Sequence, residues 1–305
     1  MSGDAESHEK WTPPKLVAWI RENMDKRGLP QPHRLEAEHL VSHALNISRL
    51  DIYLQFDKPS SEQEQEYLRE LVKRRFKREP LAYILRNSKF WTLDLEVGPG
   101  VLIPRSDTEL VVETAQKIVQ SRGDSEPIHI LEFGTGSGAI ALSLATGCKN
   151  LVIVAVDNSS KALEYARINC RRYEDQIRDM NSQLFLLQCN RFDALRKENQ
   201  FDMIISNPPY IPSNDIAGLQ DEVRQWEPVA ALDGGQDGFD YFGYLQEAAE
   251  CLLKENGSLV MEHGFDQKLK IQTMLNSSAT LTFRECFKDY SGHDRVLVYQ
   301  KTLSQ

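Results

Sequence analysis

From Leu16 to Val72 apolar residues recur every three or four positions, whereas from Ile128 onward they gather into short, nearly continuous runs. The first pattern predicts helices. Leu16, Trp19, Ile20 and Met24 follow Thr12 as a cap with Pro13 and Pro14 in the first turn; Leu35, Leu40 and Ala44 follow Pro32; Tyr67, Leu68, Leu71 and Val72 follow the capping-box pair Ser61 and Glu64. Pro80 ends this helical part, since proline lacks the N–H a continuing helix needs. "FWTLDLEVGPGVLIP" then alternates like a short hairpin, and "RSDTELVVETAQKIV" resumes helical spacing.

The second pattern predicts strands at "IHILEF", "LVIVAVD", "LFLLQC", "DMIIS" and "GSLVMEH", alternating with helices from Ser137, from Ser159 and from near Tyr241 to Leu253. Such alternation implies right-handed crossovers and a mostly parallel sheet covered on both faces, the α/β class. The expected organisation is a helical domain over 1–80, a β-hairpin linker over 81–104 and an α/β domain over 105–305.

With 305 residues, 41% of them hydrophobic and 27% charged, the chain has room for two modest cores. No run approaches the ~18 apolar residues of a membrane span. "MSGDAESHEKW" is acidic and lacks an apolar centre, so neither a secretory signal nor a membrane partner is expected, and the chain is placed in the cytoplasm. Five scattered cysteines predict neither a disulfide framework nor a structural zinc site. His39 and His43 stand four apart, but "LVS" between them lacks the glutamate of a metalloprotease motif, and no metal is expected. Residues 1–80 are balanced in charge, so the formal net charge of -9 arises beyond them. An acidic α/β half argues against stable nucleic-acid binding, which rests on phosphate neutralisation. The basic run Lys73–Arg78 falls at a helix C-terminus and is expected to be a solvated end that suits the helix dipole, with a partner contact as the alternative.

Three strand ends carry the candidate chemistry. After the first α/β strand comes Glu132-Phe133-Gly134-Thr135-Gly136-Ser137-Gly138, where glycines let a ligand approach the backbone and a helix N-terminus follows. The spacing is G-x-G-x-G rather than the G-x-G-x-x-G of dinucleotide sites. The next strand ends in Asp157, a carboxylate placed to accept two ribose hydroxyls. "FDMIISNPPYIP" stops its strand with Asn207, Pro208, Pro209 and Tyr210, a stiff extended turn presenting an amide that both donates and accepts. Alone, the glycines leave open the alternative of a tight strand-to-helix turn with no ligand. Three such positions at the carboxyl edge of one sheet point to a nucleoside-bearing ligand.

"EFGTGSG", "VD" and "SNPPY", in this order, resemble the S-adenosylmethionine-dependent methyltransferases, and Asn-Pro-Pro-Tyr is the signature of members that methylate a planar nitrogen, in adenine or in a glutamine side chain. "RLEAEHLVSHALNISRLDIYLQFD" (Arg34–Asp57) and "VLIPRSDTELVVE" (Val101–Glu113) are similar to the N-terminal domain and hinge of the HemK/PrmC family, the peptide chain release factor glutamine N(5)-methyltransferases. "LDGGQDGFDYF" and "SGHDRV" fit the same pattern, so the resemblance spans nearly the whole chain.

The resemblance implies a Rossmann-like methyltransferase domain with a small all-helical N-terminal domain that recognises the substrate. It implies methyl transfer from S-adenosylmethionine to the glutamine amide nitrogen in a Gly-Gly-Gln segment of a release factor. It assigns the cofactor to Gly134, Thr135, Gly136, Ser137, Gly138, Asp157, Asn190, Arg191 and Asn207, with Asn190 accepting from the adenine amino group and Arg191 stacking on the ring. It assigns catalysis to Asn207, Pro208 and Tyr210, and substrate binding to these with Pro209, Leu102 and Glu262; His263 is read as structural. Two departures stand out. Ser106 follows Arg105 where the family commonly has a second proline, which loosens the hinge, and Asn190-Arg191 replace the family's Asp and neighbouring aromatic residue. The alternatives are an adenine-N6 methyltransferase acting on DNA or RNA, against which the acidic half argues, and a glutamine methyltransferase of a ribosomal protein, against which the N-terminal stretch argues. A noncatalytic binding module would most simply have lost Asn207 or the glycines.

Overall fold

In the computed structural model of the chain, which describes residues 10–123 and 126–302, the helical spacing of the N-terminal part becomes α1 (Pro13–Lys26), α2 (His33–Leu45), α3 (Asp51–Leu54), α4 (Glu62–Phe76) and α5 (Leu81–Leu85). Most of "MSGDAESHEKW" lies outside the described residues. Prolines fill the first turn of α1, and Ser61 and Glu64 form both halves of the capping box on α4. Leu16, Ile20, Met24, Leu40, Ile52 and Leu71 meet in one core. Trp19, Leu35 and Tyr67 share the apolar spacing but stay more than a third exposed, at the margins of the stripe.

The basic run departs from its expected solvation. Arg75 is fully buried and pairs with Glu36 at 2.7 Å, while Arg74 pairs with Glu79 at 2.8 Å and Arg78 donates to the Gly28 carbonyl. Arg75 and Arg78 tie α4 and the residues just after it to α2 and to the turn after α1, so two of the cations serve the helical core, while Arg74 closes the end of α4 onto Glu79. His43 bonds the Tyr67 hydroxyl at 3.1 Å.

The chain divides into two compact units between Arg86 and Asn87. The stretch 81–104 is therefore shared: α5 buries Ile84 in the helical core, whereas β1 (Ser88–Phe90) and β2 (Leu93–Leu95) bury Phe90, Leu93 and Leu95 in the core of the second unit. Apolar side chains, not the turn residues around them, decide which core each half joins.

The second unit continues with α6 (Glu109–Arg122), β3 (Ile128–Phe133), α7 (Ala139–Gly147), β4 (Leu151–Asp157), α8 (Ser160–Arg172), α9 (Glu174–Asp179), β5 (Gln183–Gln188), β6 (Phe201–Ser206), α10 (Asp221–Trp226), α11 (Asp240–Leu252), β7 (Leu253–Glu262), α12 (Lys268–Leu275), β8 (Leu281–Lys288) and β9 (Asp294–Lys301). The sheet order is β5-β4-β3-β6-β7-β9-β8, parallel from β5 to β7 and antiparallel at β9 and β8. β8 and β9 were not among the expected strands. β8 is an edge strand that exposes half its side chains and carries Arg284, Glu285 and Lys288, so no apolar run marks it.

Alternate residues of the central strands feed two layers. Ile130, Ile153, Met203 and Val260 pack with α6 and α7, and Leu131, Val156, Ile204 and Leu259 pack with α11 and α12. The chain runs from β3 outward through β4 and β5, then returns to the other side of β3 as β6, so the connections diverge at the β3/β6 boundary. That divergence opens a crevice at the carboxyl ends of the strands. Among the described residues no helix is long and apolar enough to cross a membrane.

Candidate active site

The crevice is a cavity of about 410 Å³, and its floor is the turn after β3. Gly134 sits at φ 74 with nothing within 4 Å of where a Cβ would stand, so a side chain there would be strained and would project into ligand space. Thr135, Gly136 and Ser137 line the same floor. Gly138 is set back, capping α7 and packing against Leu142 and Ala166. The turn is braced from behind by buried Asn169, whose amide donates to the Ser137 and Glu96 carbonyls at 3.0 Å and accepts from the Glu96 N–H at 2.7 Å. The hairpin is in this way tied to the glycine turn.

Asp157 ends β4 at the cavity wall. Its carboxylate accepts from the Gly136 N–H at 2.8 Å and from the Ser159 N–H at 2.9 Å, which leaves lone pairs for a ligand. Burial raises its pKa, and these backbone donors pull in the opposite direction. Asn190 and Arg191 line the next part of the wall. The Arg191 guanidinium lies 3.4 Å from the centre of the Tyr244 ring and also bonds the Tyr244 hydroxyl, so it already has a stacking partner.

The loop after β6 closes the far side. Asn207, Pro208 and Pro209 line the cavity together with Leu102. The Asn207 side chain donates from Nδ2 to the Thr108 hydroxyl at 2.9 Å, which leaves its carbonyl oxygen uncommitted. Tyr210 and Glu262 stand behind this lining, with the Tyr210 hydroxyl donating to Glu262 Oε1 at 3.1 Å. Burial pushes the Glu262 carboxyl up to about 7, against the hydroxyls of Thr108 and Tyr210 and the charge of Arg295, and burial also raises the Tyr210 phenol. The Gly-Gly of "LDGGQDG" has a steric role here: a Cβ on Gly234 would lie 2.8 Å from the Tyr210 Cα and 2.9 Å from the Pro209 carbonyl. Only glycine lets that segment pack against the proline turn.

Several residues of the site carried no assignment from the sequence. Glu132, fully buried in the cavity wall, accepts from the Thr135 hydroxyl at 2.5 Å, and burial lifts its pKa to about 8. The carboxylate inside the strand run "IHILEF" is the signal in the sequence from which it could have been read. Glu227 takes the Ile103 N–H at 3.0 Å and the Arg105 guanidinium at 2.6 Å, so the segment carrying Leu102 and Ser106 is braced by an ion pair. Nothing in the spacing of "QWEP" announced that. His263 is buried and donates from Nδ1 to the Gly264 carbonyl, away from the cavity lining.

Residues 15–85 match the family described as the PrmC N-terminal domain, and residues 107–219 match the methyltransferase small domain. The release factor glutamine methyltransferase of Geobacter sulfurreducens is 40% identical over 294 residues, covering 96% of this chain and 98% of that one. That of Rhodopirellula baltica is 34% identical over 292 residues, covering 95% and 97%. A crystal structure of a methyltransferase from Pyrococcus furiosus shares 20% identity over 70% of this chain and 91% of that one, with a TM-score of 0.48.

Proposed function

Because this chain belongs to the release factor glutamine methyltransferase family, we propose that its cavity holds a release-factor glutamine against S-adenosylmethionine, with Asn207 and Pro208 presenting the amide. The observation that carries this reading is the single committed face of Asn207: its nitrogen is held by Thr108 and its carbonyl oxygen is left to accept. The enzyme transfers a methyl group from the cofactor to the glutamine side-chain nitrogen of a peptide chain release factor. We take the target to be the glutamine of a Gly-Gly-Gln segment.

The donor set fits the cofactor. Space above Gly134, a strand-end carboxylate at Asp157 and a second carboxyl at Glu132 suit a nucleoside carrying a positively charged tail. When bound, S-adenosylmethionine supplies a methyl group activated on a sulfonium. The rest falls to positioning, because an amide nitrogen is a poor nucleophile whose lone pair is delocalised. The Asn207 side-chain carbonyl and the Pro208 backbone carbonyl each accept one N–H of the glutamine. Held so, the nitrogen faces the methyl and is stabilised as it gains positive charge. The glutamine nitrogen so held would take the methyl group that the bound cofactor supplies, the bonding pair staying with the sulfur, and would then give up one proton to solvent. Pro209 stiffens the loop, Tyr210 and Glu262 support it from behind, and Leu102 supplies an apolar wall.

Cofactor binding is expected to release a proton at pH 7. Glu132, with its pKa near 8, is mostly protonated in the free protein, and a cation brought beside it favours the ionised form. The sign for the ligand-free fold is the same: the folded chain holds this proton more tightly than the unfolded chain, so stability falls as pH rises from the ordinary carboxylate range towards 8. Titration calorimetry in two buffers of different ionisation enthalpy would show different binding heats at pH 7. Equal heats would remove Glu132 from the cofactor's surroundings.

We propose that the helical unit recognises the body of the release factor, since a pocket for one glutamine cannot distinguish one glutamine-bearing chain from another. Leu50, Leu54 and Phe56, in and beside α3, are about two-thirds exposed, an apolar group suited to a protein partner. Leu54→Asp with Phe56→Asp is expected to raise KM for intact release factor roughly tenfold while leaving methylation of a short Gly-Gly-Gln peptide unchanged. Equal losses on both substrates would refute a docking role. Its substrate being a translation factor, we infer a cytoplasmic location, which cell fractionation would test.

A further inference from the structure

We propose that Thr108 is a positioning residue for methyl transfer, its hydroxyl accepting the Asn207 amide proton and thereby turning the Asn207 carbonyl toward the substrate glutamine. This rests on the reading of Asn207 given above. A primary amide has nearly the same shape when turned over by half a rotation, so the cavity's form alone does not choose which end faces the substrate. In one orientation the carbonyl meets the glutamine N–H. In the other, two N–H groups face each other and the contact is repulsive. The choice is made by the partner on the far side, and that partner is Thr108, which is buried in the 3-10 turn Ser106–Thr108 and lies 2.9 Å from Asn207 Nδ2.

A threonine hydroxyl can donate or accept, so something must hold Thr108 as the acceptor. Glu262 does this. The Thr108 hydroxyl lies near enough to the Glu262 carboxyl to favour its charged form, and Glu262 Oε2 is buried with no hydrogen bond of regular geometry, Oε1 being taken by Tyr210. In its ionised form Glu262 only accepts, so a Thr108 hydroxyl turned toward it gives its single proton there and keeps a lone pair for Asn207. In that arrangement the donors run in one direction: Asn207 donates to Thr108, the Thr108 proton is turned toward Glu262, and Tyr210 donates to Glu262 from the other side. The turn is pinned as well. Asp107, next to Thr108, pairs with Arg295 at 3.3 Å, and Arg295 pairs with Asp289 at 3.0 Å, which gives "SGHDRV" a part in the arrangement.

The test is single-turnover methyl transfer to a release factor by the full chain, with cofactor and factor affinities and thermal stability measured beside it. Thr108→Val, nearly isosteric but without the hydroxyl, is expected to slow transfer about 10- to 100-fold, the scale of a lost orientation, with both affinities within about threefold. Thr108→Ser is expected to restore the rate to within a few-fold. By nuclear magnetic resonance, the Asn207 side-chain amide protons should exchange faster with solvent in Thr108→Val than in the wild type. Thr108→Ala, read in the same way, serves if the valine variant does not fold. A hydroxyl-free variant that transfers methyl within threefold of wild type overturns the proposal, as does a serine variant as slow as the valine one. Asn207→Ala sets the reference: if it transfers at the wild-type rate, the reading of Asn207 itself fails and the Thr108 proposal with it, whereas a slow Asn207→Ala beside a wild-type-like Thr108→Val overturns the Thr108 proposal alone.

Discussion

Asn207→Ala is expected to lower methyl transfer ~10²- to 10³-fold, the usual cost of one preorganised transition-state contact, while leaving the fold and most of the cofactor affinity intact. The substitution removes the acceptor for the glutamine N–H but keeps Pro208, Pro209 and the end of β6. Ser206, just before it, stays anchored by its hydroxyl to the Phe133 carbonyl at 2.8 Å, so the strand end does not depend on the amide. Asn207→Asp is expected to be nearly as damaging. It keeps an acceptor but loses the donor to Thr108. A negative charge beside the sulfonium also stabilises the bound ground state, which subtracts from any gain in the transition state. Single-turnover transfer, with docking of the factor measured separately, decides the matter. Transfer by Asn207→Ala within a few-fold of wild type would reduce the proline turn to a rigid connector.

Asp157→Ala is expected to weaken S-adenosylmethionine binding by about two orders of magnitude, from the loss of charge-assisted hydrogen bonds of ~1.5 to 3 kcal/mol each. The structure adds a second cost. The Asp157 carboxylate holds the Gly136 and Ser159 N–H groups, so alanine also leaves the glycine turn and the start of α8 without their acceptor. Asp157→Asn separates the two effects, because its carbonyl still takes one of these donors while the charge facing the ribose is gone. Calorimetric titration of both variants, alongside their melting temperatures, would show affinity falling in each and stability falling further in the alanine variant. An unchanged dissociation constant in a folded Asp157→Ala would take the ribose away from this carboxylate.

The hydrophobic pattern determined much of this protein by itself. Helical spacing up to Val72 and short apolar runs from Ile128 set the two units apart, because periodicity is a local property that each segment must satisfy to bury its own face. Glycines after β3, the carboxylate ending β4 and the prolines after β6 were legible for a related reason: each is a residue type a strand end needs for its own backbone or ligand, and α/β topology brings such ends to one edge. Residues whose partners are far along the chain left no local trace. Glu227 bracing Ile103, Arg75 buried against Glu36, and Thr108 meeting Asn207 each join segments whose pairing appears only after folding. The edge strand β8 escaped because exposure on one side breaks its apolar pattern. Chemistry carried by one residue at a strand end could be read from the sequence, whereas chemistry held by the orientation of one side chain against another was decided by the tertiary structure, since orientation is set by the hydrogen-bond partner and the sequence does not order partners by distance.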